Sequence, residues 1–257
     1  MHRFFIPAAC IQPPFVRLQG ETARQIKLVL RLTPGTVITV LDGNPIERLV
    51  RLTLVERERV EGEIIAETEA FSEPQIRISL YIAMTQRMKF EWILQKGTEL
   101  GVNSFIPVIT SRSLVRETDS TTHKTERWEG ILREAAEQSG RTSIPHLLPV
   151  MPLLQALEHG KQNCTICLAA WEKETNLGLK ESLSSLNTTT IPSVAVLIGP
   201  EGGLSDIEAH QAMAHDWKPI SLGQRILRME TAALVITALV MYELGELKPP
   251  AGAAADS

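Results

Sequence analysis

The sequence predicts two segments of different class: a small β-rich, barrel-like N-terminal domain, then a larger α/β domain on a mostly parallel sheet. Two patterns carry this. Over roughly the first 70 residues, apolar and polar positions alternate at strand spacing and break at turn residues. Beyond Gln75, short apolar runs alternate with amphipathic stretches of helical period, the arrangement that covers both faces of a parallel sheet with helices. A chain of 257 residues, 44% hydrophobic and 22% charged, suits one large domain or a small and a medium one.

In the first segment, "TVITVLDGN" (36–44) alternates and stops at Asp42-Gly43, a tight-turn signal. "RLVRLTLVERERVEGEIIAE" (48–67) continues the alternation with charges on the other face, and "ARQIKLVLRL" (23–32) suits one short helix. Pro74 marks "FSEPQ" (71–75) as a linker. In the second segment, "IRISLYIAM" (76–84) reads as a buried strand. "KFEWILQKGTEL" (89–100) reads as an amphipathic helix, with Gly101 suited to its C-terminal cap. A strand "SFIPVIT" (104–110) and a helix "ERWEGILREAAEQSG" (126–140) follow. Then come strand-like "CTICLAA" (164–170), "SVAVLIG" (193–199) and "WKPISLG" (217–223), and a last helix "ETAALVITALVMYEL" (230–244). The expected division is 1–72, 73–248 and a disordered small-residue tail, 249–257.

Composition excludes several classes. The longest apolar run, "TAALVITALVMY" (231–242), is too short to span a membrane and reads as a buried helix. "MHRFFIPAAC" lacks the apolar core of a secretory signal, and three cysteines give no disulfide framework, so a cytoplasmic protein is expected. A net charge of −4 does not mark a nucleic-acid binder, but residues 1–59 lean basic, so RNA binding stays open.

Two junctions carry chemistry. In "VLIGPEGGLSDIE" (196–208), Gly199, Gly202 and Gly203 allow close backbone approach, Pro200 stiffens the turn, and Ser205 with Glu208 forms a capping box. The alternative is an ordinary strand-to-helix turn; three glycines, a proline and a cap together favour ligand binding at a strand's carboxyl end. The loop is neither the G-x-G-x-x-G fingerprint nor a P-loop. "SLGQRILRMETA" (221–232) repeats the strand, glycine turn and helix. Two such loops on nearby strands can pinch one small ligand, with Arg225 and Arg228 beside it as permanent charges. The plainer alternative leaves these arginines solvated or pairs them with Glu230. Cys164 and Cys167 have half-site spacing without a second pair, and on one strand they face opposite sides, so core packing is expected. His210 and His215 share no helix face, so no metal site is expected.

These loops, "LIGPEGGLSDIE" followed by "LGQRILRMETAAL", resemble the bacterial 16S ribosomal RNA uridine-N3 methyltransferases of the SPOUT superfamily. "MHRFF", "LQKGTELGVNSFIPVITSRS" (94–113) and "REAAEQSGRTSIP" (133–145) match the same family's motifs in order, so the resemblance runs to about Leu247. Met229 stands where many relatives have Thr, and Leu204 where they have an aromatic. The resemblance implies a PUA-like barrel joined to a SPOUT domain with a parallel sheet and a deep trefoil knot. It implies S-adenosylmethionine as cofactor, no metal, 16S rRNA or the small ribosomal subunit as substrate, and a homodimer. The cofactor residues would be Leu168, Gly199, Pro200, Glu201, Gly202, Leu222, Gly223, Ile226 and Leu227, with "LAAWE" (168–172) completing the pocket. Arg228, Arg3 and Glu201 would be catalytic, the arginines stabilising a uracil anion and Glu201 one candidate base beside another carboxylate or water. Arg3, Arg112, Gln138, Arg141 and Arg225 would contact RNA. Two rival functions are ribose 2′-O-methylation of RNA and a non-catalytic RNA-binding dimer.

Overall fold

The computed structural model describes residues 1–69, 73–113, 122–184 and 192–248; the tail 249–257 and part of the linker expected at 71–75 lie outside them. The chain forms two compact units. One is Met1–Glu73 with Arg133–Ile144, the other Pro74–Leu132 with Pro145–Ser257.

The first unit is a six-stranded, mixed sheet curled around one core. Its strands are β1 (Arg3–Phe5), β2 (Ile11–Gln12), β3 (Phe15–Gln19), β4 (Val37–Leu41), β5 (Ile46–Val55) and β6 (Arg59–Glu69). They run in the order β1-β4-β5-β6-β3-β2, with only β1 and β4 parallel. Phe4, Val16, Ile38, Val40, Val50, Leu52 and Val60 from five of these strands meet in one buried cluster, which is what the alternation encodes. The turn at Asp42-Gly43 closes the β4–β5 hairpin, with Gly43 at φ +88 and the Asn44 amide donating to Asp42 Oδ1 at 3.1 Å. The stretch 48–67 is not one strand: it turns between Val55 and Arg59, where the Glu56 amide donates to the Arg59 carbonyl at 2.9 Å. Ala23 and Ile26 join the core from helix α1 (Gly20–Arg24) and the π-helical turn after it (Gln25–Val29).

The second unit holds an all-parallel sheet. Its strands are β7 (Arg77–Ala83), β8 (Ser104–Ile109), β9 (His146–Leu147), β10 (Met151–Pro152), β11 (Ile166–Ala170), β12 (Ser193–Ile198) and β13 (Trp217–Ile220). The order is β10-β8-β7-β12-β11-β13, with β9 also on β8. The helices are α2 (Arg87–Glu99), the start of α3 (Thr122–Ser139), whose residues from Arg133 on belong to the first unit, α4 (Leu153–Asn163), α5 (Leu179–Leu183), α6 (Asp206–Ala214) and α7 (Met229–Glu243). Gly101 (φ +92) and Gly140 (φ +77) follow α2 and α3 in the left-handed conformation that ends a helix. Both faces of the sheet are covered, so its central strands are mostly apolar on both sides, as in "VAVLI" (194–198) of β12. Helices α4 and α6 cover the face bearing Tyr81, Ile106, Ala169 and Leu197. Helix α7 lies on β7 and β12 beside α2. Gly160 lets α4 rest on the Trp217 ring, whose Nε1 donates to the Leu157 carbonyl at 3.0 Å.

Cys164 and Cys167 both pack in this core, although not as strand alternation predicts. Strand β11 starts at Ile166, so Cys164 precedes it as the extended C-cap of α4 and joins the same cluster as Cys167. Burial pushes the Cys167 thiol up to about 12, which removes it as a nucleophile at neutral pH.

An ion-pair knot joins α2 to the start of α3. The Glu91 carboxylate accepts from Arg127 at 2.6 Å and from Arg87 at 2.8 Å. Mainly the Arg127 bond, with Arg87 behind it, depresses its pKa to about 2 from 4.5. A depressed carboxylate contributes stability that is complete above its unfolded pKa and is lost as pH falls toward 2. Because both arginines are more than half exposed, the contribution is about 1 kcal/mol. Thermal unfolding stepped from about pH 6 down should therefore show a steeper loss for wild type than for Glu91→Gln. Parallel profiles would show that the pair contributes nothing.

Candidate active site

Strands β12, β11 and β13 are adjacent, and their carboxyl ends at Ile198, Ala170 and Ile220 open into one cavity of about 540 Å³. That volume falls in the range of small-molecule sites, about 300–1,000 Å³. Three chain segments wall it.

The first wall is Gly199–Ser205. A Cβ on Gly199 would lie 3.0 Å from the Leu204 nitrogen and 3.2 Å from the Gly203 carbonyl carbon, so any side chain here would force the loop's backbone to give by a few tenths of an ångström. Gly203 (φ +66) donates to the Pro200 carbonyl at 2.8 Å, making the turn. Leu204 is buried in the sheet core. The capping box forms as the sequence predicts, with Ser205 and Glu208 exchanging side-chain and backbone bonds. Glu208 does more than cap. Its second oxygen accepts from the Ser111 amide at 2.7 Å, tying the wall to the loop after β8. Burial alone would raise its pKa, but these backbone bonds outweigh it and hold the carboxyl below its ordinary value. Arg112, from the same loop, donates to the Gly202 carbonyl at 2.6 Å.

The second wall is Ser221–Arg228. The Ser221 amide donates to the Leu177 carbonyl at 2.9 Å, and Gly223 takes φ +100 with open space where a Cβ would stand. Arg228 is the N-cap of α7, so the first turn of that helix, with its unpaired amides and positive dipole end, borders the cavity. The third wall is Ala170, Trp171 and Glu172.

Eight of the nine expected cofactor residues line the cavity: Gly199, Pro200, Glu201, Gly202, Leu222, Gly223, Ile226 and Leu227. Leu168 does not. It is fully buried at mid-strand in β11, and its place is taken by Ala170 to Glu172 two to four residues later. Arg225 and Arg228 also line the cavity, and neither forms an ion pair among the described residues; pairing with Glu230 is not seen. Glu201 accepts from Thr85 and from Lys89, the latter at 2.9 Å. Burial would raise its pKa, yet the Thr85 and Lys89 bonds win and lower it. Lys89, on α2 more than a hundred residues upstream, left no signal in the sequence.

Arg3, Gln138 and Arg141 belong to the first unit. Arg3 donates to Glu47 at 2.6 Å and to the Gly140 carbonyl at 3.3 Å. Arg141 is 3% exposed and its guanidinium binds Glu73 at 2.7 Å, so its charge is turned inward. Gln138 is exposed on α3.

The cavity fits a small organic ligand with apolar and polar parts. Ile226 stands 88% exposed at its edge, and the open faces of Gly202 and Gly223 form a backbone cradle. The buried Trp171 Nε1 has no hydrogen-bond partner among the described residues. Among the described residues, no group of three or more His, Cys, Asp or Glu is placed to hold a metal ion.

Residues 72–241 match the model of the RNA methyltransferase domain. The ribosomal RNA small subunit methyltransferase E of Bacillus subtilis is 33% identical over 250 residues, covering 95% of this chain and 97% of that protein. Among solved structures, a ribosomal RNA small subunit methyltransferase E from Neisseria gonorrhoeae bound to S-adenosyl methionine superposes with a TM-score of 0.84 at 30% identity, covering 96% and 100% of the two chains. A putative methyltransferase from Legionella pneumophila in complex with the same cofactor gives 0.83 at 29% identity, covering 93% and 96%. Since the match runs through nearly the whole chain, the protein belongs to the RNA methyltransferase family, alongside the ribosomal RNA small subunit methyltransferases E.

Proposed function

We propose that the protein transfers a methyl group from S-adenosylmethionine to N3 of one specific uridine in 16S rRNA, in the cytoplasm. The observation that carries this is the pair of glycine walls on parallel strands β12 and β13, which flank β11, with two arginines at the rim that have no ion pair among the described residues. Likeness to relatives named for the small-subunit RNA, and to structures holding that cofactor, supports it. On this reading the strand crossings around the walls form the SPOUT knot. Residues 1–72 would then serve mainly to position RNA and 73–248 to transfer the methyl.

The cofactor supplies a sulfonium methyl open to in-line displacement. Gly199, Pro200, Glu201, Gly202, Leu222, Gly223, Ile226 and Leu227 hold it from two sides. N3 of uracil keeps its proton at neutral pH, so it becomes a nucleophile only as the proton leaves. Arg228 cannot take that proton, because guanidinium stays charged. It stabilises the anion instead, helped by the amide end of α7. Glu201, its carboxyl held below the ordinary value by Thr85 and Lys89, is a weaker base than a free carboxylate and also fixes Lys89 at the wall; the proton goes to Glu201, to another carboxylate or to water. N3 lies in the pairing edge, so the uridine must be unpaired or flipped. Arg112 and Arg225 face RNA from the rim. Arg3 and Arg141 act on it through the backbone they brace.

The test is mass spectrometry of ribosomal RNA from a deletion strain. Loss of one base methyl supports the proposal; loss of a ribose methyl, or no loss, favours one of the two rivals.

We also infer a homodimer. The apolar run of α7 is mostly consumed inside its own unit, where Met229, Ala233, Ile236, Val240 and Met241 are buried. What remains outside is Leu239 and Tyr242, with Met88 and Trp92 on the neighbouring α2, all more than 40% exposed. That is an apolar stripe for a second copy. Light scattering should give twice the 28.5 kDa chain mass, and Leu239→Glu should reduce it to one. A wild-type monomer that still methylates RNA would defeat the dimer.

A further inference from the structure

The cavity segregates its charges. Lys89 and Glu201 neutralise each other. Of the other charged residues on its walls, Arg225 and Arg228 are cations and Glu172 is an anion, and none of the three has an ion-pair partner among the described residues. The basic neighbour of Glu172 is drawn elsewhere, since Lys173 pairs with Asp206. The carboxylate lies against Gly203, where an added Cβ would land on its oxygens, so it sits at the meeting of the first and third walls. The glycine at 203 thus serves two needs, a left-handed turn and room for this carboxylate. A carboxylate without an ion-pair partner on the wall of a ligand cavity attracts a cation.

Resting on the reading that the cavity holds S-adenosylmethionine, we propose that Glu172 is a positioning residue that takes a cationic centre of the methyl donor. The arginines are thereby left for the anionic partner. The donor has two such centres, the sulfonium and the α-ammonium. If Glu172 faces the sulfonium, it also favours release of the product, whose sulfur is uncharged, after each transfer.

The experiment is calorimetric titration of wild type and Glu172→Gln with S-adenosylmethionine, S-adenosylhomocysteine and methylthioadenosine, which differ in these charges. The variant keeps the shape of the side chain and removes its charge. Affinity for S-adenosylmethionine should fall by roughly three- to tenfold, the range of one partly exposed charge contact. Unchanged affinity for the homocysteine product would assign Glu172 to the sulfonium. An equal loss for that product with unchanged methylthioadenosine would assign it to the ammonium. Equal losses for all three ligands would show a merely structural role and overturn the proposal, as would no loss for any. If wild type itself binds none of them, the assignment of the cavity fails, a result distinguishable from failure of Glu172 alone.

Discussion

Gly199→Val should remove S-adenosylmethionine binding while the protein still unfolds cooperatively. The reason is local. A side chain at this position meets the Leu204 nitrogen and the Gly203 carbonyl carbon, which are backbone and cannot rotate away. The loop must open, and with it go the turn from Pro200 to Gly203 and the alignment of the wall with its neighbours. The sheet beneath keeps most of its core, because Ile198 and the strands around it are untouched and only Leu204, whose Cγ would lie 3.1 Å from the new Cβ, must shift. A displacement of this kind costs about 2–4 kcal/mol of binding, so affinity should fall by at least about thirtyfold. Gly202→Ala supplies the contrast. Its Cβ would meet only the flexible Arg112 side chain, at 3.4 Å, so the protein itself has room for the methyl. If Gly202→Ala also loses affinity, its open face is where the ligand lies. Wild-type affinity in Gly199→Val, measured by calorimetry beside a normal melting curve, would place the pocket elsewhere.

The sequence made the glycine walls legible because their physics is local. A glycine after an apolar run and a capping box two residues beyond the last glycine can be read without knowing what stands opposite. The same holds for the helix ends at Gly101 and Gly140. Leu168 shows where local reading stops. A strand's pleat alternates by single residues, so the residues of β11 that reach the cavity depend on where the strand ends, and it ends at Ala170. Helix α4 carries a weaker signal: Leu153, Ala156, Leu157 and Gly160 recur at helical spacing, but the glycine weakens the pattern. Partners across the fold left no trace. Lys89 finds Glu201, Ser111 finds Glu208, and Glu73 finds Arg141 only after distant segments meet. For Arg141 this matters most, since a basic residue in an expected RNA motif reads as a surface charge until its partner is known.

Arg228→Ala should retain cofactor affinity and lose turnover, by about 2–4 kcal/mol in the barrier if it acts as a missing oxyanion donor does. That is a fall of roughly thirty- to a thousandfold in kcat. Three observations motivate this. Arg228 lines the cavity, it has no ion pair among the described residues, and it caps α7, whose positive end adds to its own charge. A residue that served the fold would be tied to a carboxylate, as Arg141 is to Glu73. The charge that develops in the reaction is on uracil, and it is largest when N3 has lost its proton. The variant should therefore recover partly as pH rises, because more of the substrate is then deprotonated without help. Wild type should gain less over the same range. Arg225→Ala serves as the control: if its guanidinium binds phosphate, KM for RNA should rise with kcat near normal, and the gap from wild type should narrow as salt rises. Loss of cofactor binding in Arg228→Ala, or a pH profile parallel to wild type, would move Arg228 from the chemistry to the cofactor pocket or to the start of α7.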